Sequence, residues 1–133
     1  PHPKLVKILA RRADALGEDP AKPGAIEWGQ AEALAFASLV AEGVSVRITG
    51  QDAERGTFGH RNAVLHDPTT GKTHRPIDAI PGATGTFEVY NSPLTETAVM
   101  AFEYGFSVTA PDALTLWEAQ YGDFVNVAQV VID

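Results

Sequence analysis

Two glutamates, Glu96 and Glu103, interrupt an otherwise apolar stretch that follows Pro93. At about 100° per residue, an α-helix places them within about 20° of each other, on one stripe flanked by Val99 and Met100. A carboxylate on such a stripe lies either at a wet rim or buried against a specific partner, because an unpaired buried charge costs several kcal/mol. The spacing therefore marks this helix as the first place to look for chemistry.

Glu96 has two interpretations. In the first it is an acid of the first helical turn, stabilised by the helix dipole by about 0.3–1 kcal/mol. In the second it is a carboxylate that meets a protonatable nitrogen supplied by a ligand. The residues alone leave both interpretations open.

Other catalytic arrangements find little support. His60, His66 and His74 lack the i, i+4 spacing and the cysteine partners of a metal site, so no metal centre is predicted. No serine lies in a G-x-S-x-G context, and the chain contains neither a G-x-G-x-x-G motif after a strand nor a Walker sequence. The carboxylates remain the main candidates.

Charge is distributed unevenly along the chain. The net charge is −7, and all ten Lys and Arg residues lie in residues 1–75. The charged residues of 76–133 are all Asp or Glu. Binding to phosphates depends largely on Lys and Arg, so nucleic acid is an unsuitable partner. Because solvated helices usually mix both signs of charge, we expect part of the second half to lie in an interface.

Length and composition predict a folded unit without disulfides. The 133 residues, 44% hydrophobic and 20% charged, suit one globular domain and no more. The chain has no cysteine, which favours a cytoplasmic location, or the mitochondrial matrix in a eukaryote. No membrane span or leader is predicted, since no long apolar run occurs.

The first half is predicted to hold two helices and a strand. Residues 3–16 form an amphipathic helix, residues 17–24 a linker rich in proline and glycine, and residues 26–42 an Ala- and Leu-rich helix that ends at Gly43. Residues 44–49 alternate as a strand and lead into a loop over residues 51–61 that looks functional.

The second half is predicted to alternate strands and helices. Its expected elements are a hairpin (residues 63–66 and 73–77), a strand (86–90), a helix to about Phe106 with Ser92 as N-cap and Pro93 at the first position, a strand (114–118) and a helix (123–132). Such alternation predicts an α/β fold with a parallel sheet, whose ligands bind at the carboxyl ends of its strands.

Four strings carry a resemblance to a known family. They occupy residues 50–61, 90–96, 102–105 and 117–124, in that order. Together they resemble the pyrimidine-binding domain of the thiamine-diphosphate-dependent first component of the 2-oxoglutarate dehydrogenase complex, within the transketolase-like superfamily. The resemblance implies a three-layer α/β sandwich with a mostly parallel central sheet over residues 26–133, preceded by a helical arm and linker in residues 1–25.

The resemblance also implies a cofactor and its contacts. The family's glutamate at the position of Glu96 hydrogen-bonds N1′ of the cofactor's aminopyrimidine and drives it to the imino tautomer, which removes the thiazolium C2 proton. Leu94, Gln120 and Phe124 are then expected to line the pyrimidine pocket. Taken alone, Phe124 would more readily be ordinary core and Gln120 a loop amide.

Four residues of the 51–61 loop also match the family, with either substrate contact or a structural network as their role: Gln51, Asp52, Arg55 and His60.

The family's Gly-Asp-Gly signature, followed about thirty residues later by paired asparagines, is absent from this chain. The resemblance therefore implies that Mg²⁺ and the diphosphate are held by a partner domain or chain. It further implies a homo-oligomer, a dimer in the family's usual arrangement, and a lipoyl-bearing acyltransferase served by the complete enzyme in the tricarboxylic acid cycle. The alternative is a non-catalytic dimerisation or assembly module of the same fold.

Overall fold

The computed structural model describes residues 2–17 and 26–133. Its helices and strands, in chain order, are α1 Pro3–Ala15, α2 Trp28–Ala41, β1 Val46–Gly50, β2 Leu65–His66, β3 Thr73–His74, β4 Phe87–Asn91, α3 Glu96–Thr109, β5 Leu114–Glu118 and α4 Gln129–Ile132. Two 3₁₀ helices, Pro76–Ala79 and Gly122–Ala128, complete the regular structure of the described residues.

The main sheet is parallel and places β1 between β4 and β5. Gly50, the last residue of β1, pairs with Asn91 on one side and with Glu118 on the other, so the three strands end level. Parallel strands with level carboxyl ends form the edge at which ligands bind in open α/β sheets. The predicted α/β class is confirmed.

The two faces of β1 contact different helices, which gives the three-layer arrangement. Val46 and Ile48 are buried in a core with Phe36 and Val40 of α2. On the other face, Arg47 reaches α3. The alternation of residues along β1 therefore assigns one side of the sheet to each helix.

Helix α3 begins later than predicted. Its N-cap is Thr95, and Glu96 is the first helical residue, so the prediction of Ser92 as N-cap with Pro93 at the first position is wrong. The backbone N–H of Ser92 donates to the carbonyl of Gly50 at 2.8 Å, which keeps the chain tied to β1 beyond the end of β4. The helix also ends at Thr109, beyond Phe106.

The predicted helix over residues 123–132 is wrong for most of its length. The chain forms a 3₁₀ helix over Gly122–Ala128, and α4 covers only Gln129–Ile132. The hydroxyl of Thr97 donates to the carbonyl of Val127 at 2.8 Å. A side chain of α3 thus binds a backbone acceptor of this segment, a tertiary contact that local propensity does not report.

The other elements follow the prediction within a few residues. Helix α2 ends before Gly43, whose φ of +90° matches the expected C-cap, and β2 and β3 form the antiparallel hairpin. Of the predicted linker, residues 18–24 lie outside the described residues. Among the described residues, no helix has the length and apolarity needed to cross a membrane.

Candidate active site

Glu96 lies at the carboxyl edge of the sheet, at the N-terminus of α3. It is only 9% exposed. Its Oε1 accepts a hydrogen bond of 2.9 Å from Nε2 of Gln51, the residue that directly follows β1. Oε2 has no hydrogen-bond partner among residues 2–17 and 26–133. One oxygen of the carboxylate is therefore held, and the other is open to a donor.

Two backbone contacts fix the segments that carry this pair. The Ser92 N–H bonds to the Gly50 carbonyl, and the Glu54 N–H donates to Oδ1 of Asn91 at 3.0 Å. Both contacts join the connection between β4 and α3 to the chain that follows β1. The carboxylate and its amide partner are therefore held from both sides of the strand edge.

Glu103 occupies the same stripe of α3 but has a different environment. Arg47 donates to both of its oxygens, at 2.8 Å from Nε and 3.0 Å from Nη2, and to Glu88 at 2.8 Å. Rings of Tyr90, Phe102 and Phe106 lie 4.7–5.6 Å from the guanidinium carbon. The hydrogen bond that Arg47 donates to Glu103 is the main factor that raises the pKa of Arg47. Glu103 is thus the buried carboxylate with a specific partner.

The remaining predicted loop residues bond mainly to their own loop. Arg55 donates to Asp52 at 2.9 Å and to the carbonyl of Thr57 at 3.2 Å. The hydrogen bond to Asp52 raises the pKa of this exposed arginine. His60 packs on Gly56, where an added Cβ would lie 2.4 Å from the ring, and Gly56 has a φ of +78°. These contacts favour a structural network over direct binding.

Sequence reasoning missed Arg61, which anchors the loop. It is 3% exposed and bonds to Glu32 at 2.5 and 2.9 Å, to the carbonyl of Ala53 at 2.8 Å, and to Glu118. Burial lowers the pKa of Arg61, but the hydrogen bonds that it donates to the two carboxylates outweigh this effect and raise the pKa above its ordinary value. The sequence indicated only that an arginine ends the string of residues 50–61. It did not indicate that Glu32 and Glu118 would bind it.

Arg61 also explains a cluster with metal-ligand chemistry. Glu32, His60 and Glu118 place potential ligand atoms within 4.8 Å of one another. The guanidinium of Arg61 already bonds to both carboxylates of this group. The positive charge that these carboxylates need is thus supplied by the guanidinium of Arg61.

The predicted pyrimidine contacts follow the ends of β4 and β5. Leu94 and Phe124 are 46% and 39% exposed, and Gln120 is partly buried. The Phe124 ring lies 6.3 Å from Tyr121, whose ring meets Phe58 edge-on at 6.0 Å. Tyr121 therefore links the ring of Phe124 to the exposed ring of Phe58, in segments that follow the carboxyl ends of β5 and β1.

Comparison with known proteins decides the family. The model of the transketolase pyrimidine-binding domain matches residues 24–132. The chain belongs to this family. The four strings of the sequence resembled this domain, and the resemblance is confirmed.

Relatives of this pyrimidine-binding domain are considerably longer. Two of them, from Bacillus mycoides (strain KBAB4) and Bacillus cereus (strain B4264), are named 2-oxoglutarate dehydrogenase E1 component. Each is 54% identical over 132 residues, which is 99% of this chain and 13% of the relative. The chain therefore spans about an eighth of the length of the curated relatives it matches.

The site of this pyrimidine-binding domain suits the ring for which the family is named. A flat heterocycle with a protonatable nitrogen needs a carboxylate acceptor and an apolar surface. Glu96 offers one open carboxylate oxygen, and Phe124 offers a partly exposed ring. The carboxylate acceptor and the apolar ring are thus each of the kind that a pyrimidine needs.

Proposed function

We propose that this chain forms the pyrimidine-binding side of a thiamine-diphosphate-dependent 2-oxo acid decarboxylase of the 2-oxoglutarate dehydrogenase type. The observation that carries the proposal is the buried carboxylate of Glu96, held through one oxygen by Gln51 and open at the other. The identity to relatives named 2-oxoglutarate dehydrogenase E1 component supports this substrate class. In this proposal the chain is inactive without the rest of the enzyme.

Glu96 is the catalytic residue of the proposal. Its open oxygen accepts the hydrogen bond of the pyrimidine ring nitrogen and holds that proton at the ring. Burial strengthens this contact, because fewer water molecules compete for the carboxylate. When bound, thiamine diphosphate supplies the nucleophilic carbon and the electron sink that decarboxylation of a 2-oxo acid requires.

The remaining site residues orient the ring and order the loop. Phe124 packs against the pyrimidine, and Leu94 and Gln120 complete the pocket. In the loop, Asp52, Arg55 and His60 keep the backbone in place through the contacts described above. The bonds from Arg55 to Asp52 and to the Thr57 carbonyl, together with the packing of His60 on Gly56, support this role over contact with substrate.

The other half of the cofactor site belongs to a partner in this proposal. A diphosphate-binding domain or chain holds Mg²⁺ and the diphosphate, and two copies of the enzyme assemble as a homodimer. Exposed apolar side chains of α3 support an assembled state, since Tyr104 and Val108 on one side of the helix and Phe102 on another are each more than half exposed. The complete enzyme passes the acyl group to a lipoyl-bearing acyltransferase of the tricarboxylic acid cycle, in the cytoplasm.

The same exposed side chains of α3 favour a second candidate. A pyrimidine-binding domain that only assembles would use these apolar side chains and would have no need of an open carboxylate. Glu96 separates the two candidates, because turnover depends on it in the first and not in the second.

A hybrid enzyme tests the proposal. This chain replaces the matched segment of the Bacillus cereus relative, and 2-oxoglutarate-dependent reduction of ferricyanide is measured with thiamine diphosphate and Mg²⁺. We expect Glu96→Gln to lower kcat about 10²- to 10⁴-fold, the usual contribution of a positioned acid or base.

Glu42→Gln is the matched control, because Glu42 is exposed at the end of α2. We expect it to leave kcat unchanged. Native mass spectrometry of each hybrid checks that the assembly and its cofactor are retained. Near-normal turnover by the Glu96→Gln hybrid would reject the catalytic proposal and favour the assembly module.

A further inference from the structure

Gln51 is placed with unusual firmness for an exposed side chain. It follows Gly50, which lies so close to β5 that an added Cβ would be 2.5 Å from the carbonyl oxygen of Glu118. The Gly50 carbonyl in turn accepts the N–H of Ser92. The backbone from which Gln51 projects is therefore held by both neighbouring strands.

The loop beyond Gln51 is held as well. Arg61 donates to the carbonyl of Ala53, which is fully buried, and Arg61 is itself bonded to Glu32 and Glu118. Gln51 thus lies between a strand end and an anchored turn. A hydrogen bond made from such a position costs little additional ordering of the chain.

The contact with Glu96 limits the freedom of the carboxylate. The last torsion of a glutamate side chain has a broad energy profile, so an unheld carboxylate samples many orientations. A carboxylate accepts hydrogen bonds only, and of the two ends of an amide only the NH₂ group can donate. The 2.9 Å contact from Nε2 therefore fixes Oε1 and aims Oε2.

We propose that Gln51 is a positioning residue, whose amide holds one oxygen of Glu96 so that the other meets the pyrimidine nitrogen. This inference rests on the proposed function of Glu96. Gln51 contacts neither substrate nor cofactor in this role. Because it is neutral, it orients the carboxylate without satisfying its charge, which leaves that charge for the ligand.

Two variants of similar length separate the donor from its neutrality. Gln51→Met keeps a long unbranched side chain but removes the N–H donor, whereas Gln51→Lys keeps a donor but adds a positive charge. In the hybrid enzyme we expect Gln51→Met to lower kcat about 10- to 100-fold, since small misplacements of a catalytic group have effects of this size. The KM for 2-oxoglutarate stays unchanged. Gln51→Lys also lowers kcat, because its cation satisfies the charge of Glu96.

A second readout does not depend on turnover. In the 133-residue chain, we expect Glu96→Ala to move the NMR resonances of the Gln51 side-chain amide and to leave those of Gln129 in place. Gln129 also carries a bonded amide, 2.7 Å from Asp133, in the exposed helix α4. Gln129→Met is the matched control for the kinetics.

The outcomes separate this inference from the proposed function. An unchanged kcat in Gln51→Met would overturn the positioning role, and a normal kcat in Gln51→Lys would overturn the need for a neutral partner, while the loss in Glu96→Gln still supports catalysis. A normal kcat in Glu96→Gln would overturn both. Unchanged chemical shifts of the Gln51 side-chain amide in Glu96→Ala would show that the contact itself is absent.

Discussion

Glu96 and Glu103 lie on the same stripe of one helix, yet their surroundings differ in charge. Glu103 is 4% exposed, and a guanidinium binds both of its oxygens. Glu96 is 9% exposed and receives one hydrogen bond from a neutral amide. A partner that neutralises a buried carboxylate leaves it nothing further to bind, whereas a neutral partner leaves its charge to be satisfied.

The comparison separates two uses of a buried acid. Arg47 connects Glu103 of α3 to Glu88 of β4 and so joins a helix to the sheet. Within residues 2–17 and 26–133, Glu96 joins the helix to the loop after β1 only through Gln51. We therefore expect Glu103 to contribute mainly to stability and Glu96 mainly to binding and catalysis.

The largest effect on stability should come from Arg47→Met. This change leaves Glu103 buried without a cation, and breaking such a pair typically costs about 3–5 kcal/mol. Urea denaturation of the 133-residue chain measures the loss. Arg11→Met is the control, because Arg11 and Glu27 form an exposed pair, and its cost should stay below about 1 kcal/mol.

A double variant, Arg47→Met with Glu103→Leu, sharpens the interpretation. Removing both charges should recover part of the loss, because no uncompensated carboxylate is then buried. Equal costs for Arg47→Met and Arg11→Met would contradict the structural role given to Glu103.

A smaller effect is expected for Glu96→Gln. The amide keeps an oxygen that can accept from Gln51, and the lost interaction with the helix dipole is worth about 0.3–1 kcal/mol. The free energy of unfolding in urea should therefore change by less than about 1 kcal/mol. A loss as large as that of Arg47→Met would place Glu96 among the structural acids and remove the contrast with Glu103.

The smallest effect concerns an exposed acid, Asp67, in the turn between β2 and β3. Backbone N–H groups of Thr69 and Thr70 donate to it at 2.8 and 3.3 Å, and these bonds lower its pKa in the folded state. Its contribution to stability is then present above the unfolded-state pKa and is lost as pH falls through the folded value. Asp67→Asn should be slightly less stable at neutral pH.

Urea midpoints measured at neutral and acid pH check this expectation. The difference between Asp67→Asn and the parent chain should shrink as the pH falls below the carboxyl range. A difference that is independent of pH would mean that the charge of Asp67 is irrelevant to the turn.

Helical periodicity predicted where the two acids of α3 lie, but not what they contact. Glu96, Val99 and Glu103 are the buried residues of this helix, which is one of the two arrangements that the stripe left open. Arg47 and Gln51 lie about fifty positions earlier in the chain, and no local pattern reports a pairing across that distance. The sequence contained no signal by which the roles of Glu96 and Glu103 could be told apart without the resemblance.

The ends of the elements were predicted less well for the same reason. Ser92 satisfied the local rules for a helix cap, but its N–H is bound by Gly50 of another strand. Residues 123–128 satisfied the composition of an α-helix, but Thr97 binds the carbonyl of Val127. In both places a contact from a distant segment overrides local preference, whereas the strand at Leu114–Glu118, bounded by its turn residues, was predicted with the correct limits.

The packing of His60 on Gly56 has a consequence for how this loop can vary between proteins. A side chain at position 56 would have to adopt a positive φ and also displace the imidazole ring. Substitutions at the two positions are therefore coupled. A larger residue at 56 requires a smaller residue at 60. Mutational scans that change one position at a time would record position 56 as intolerant and miss this dependence.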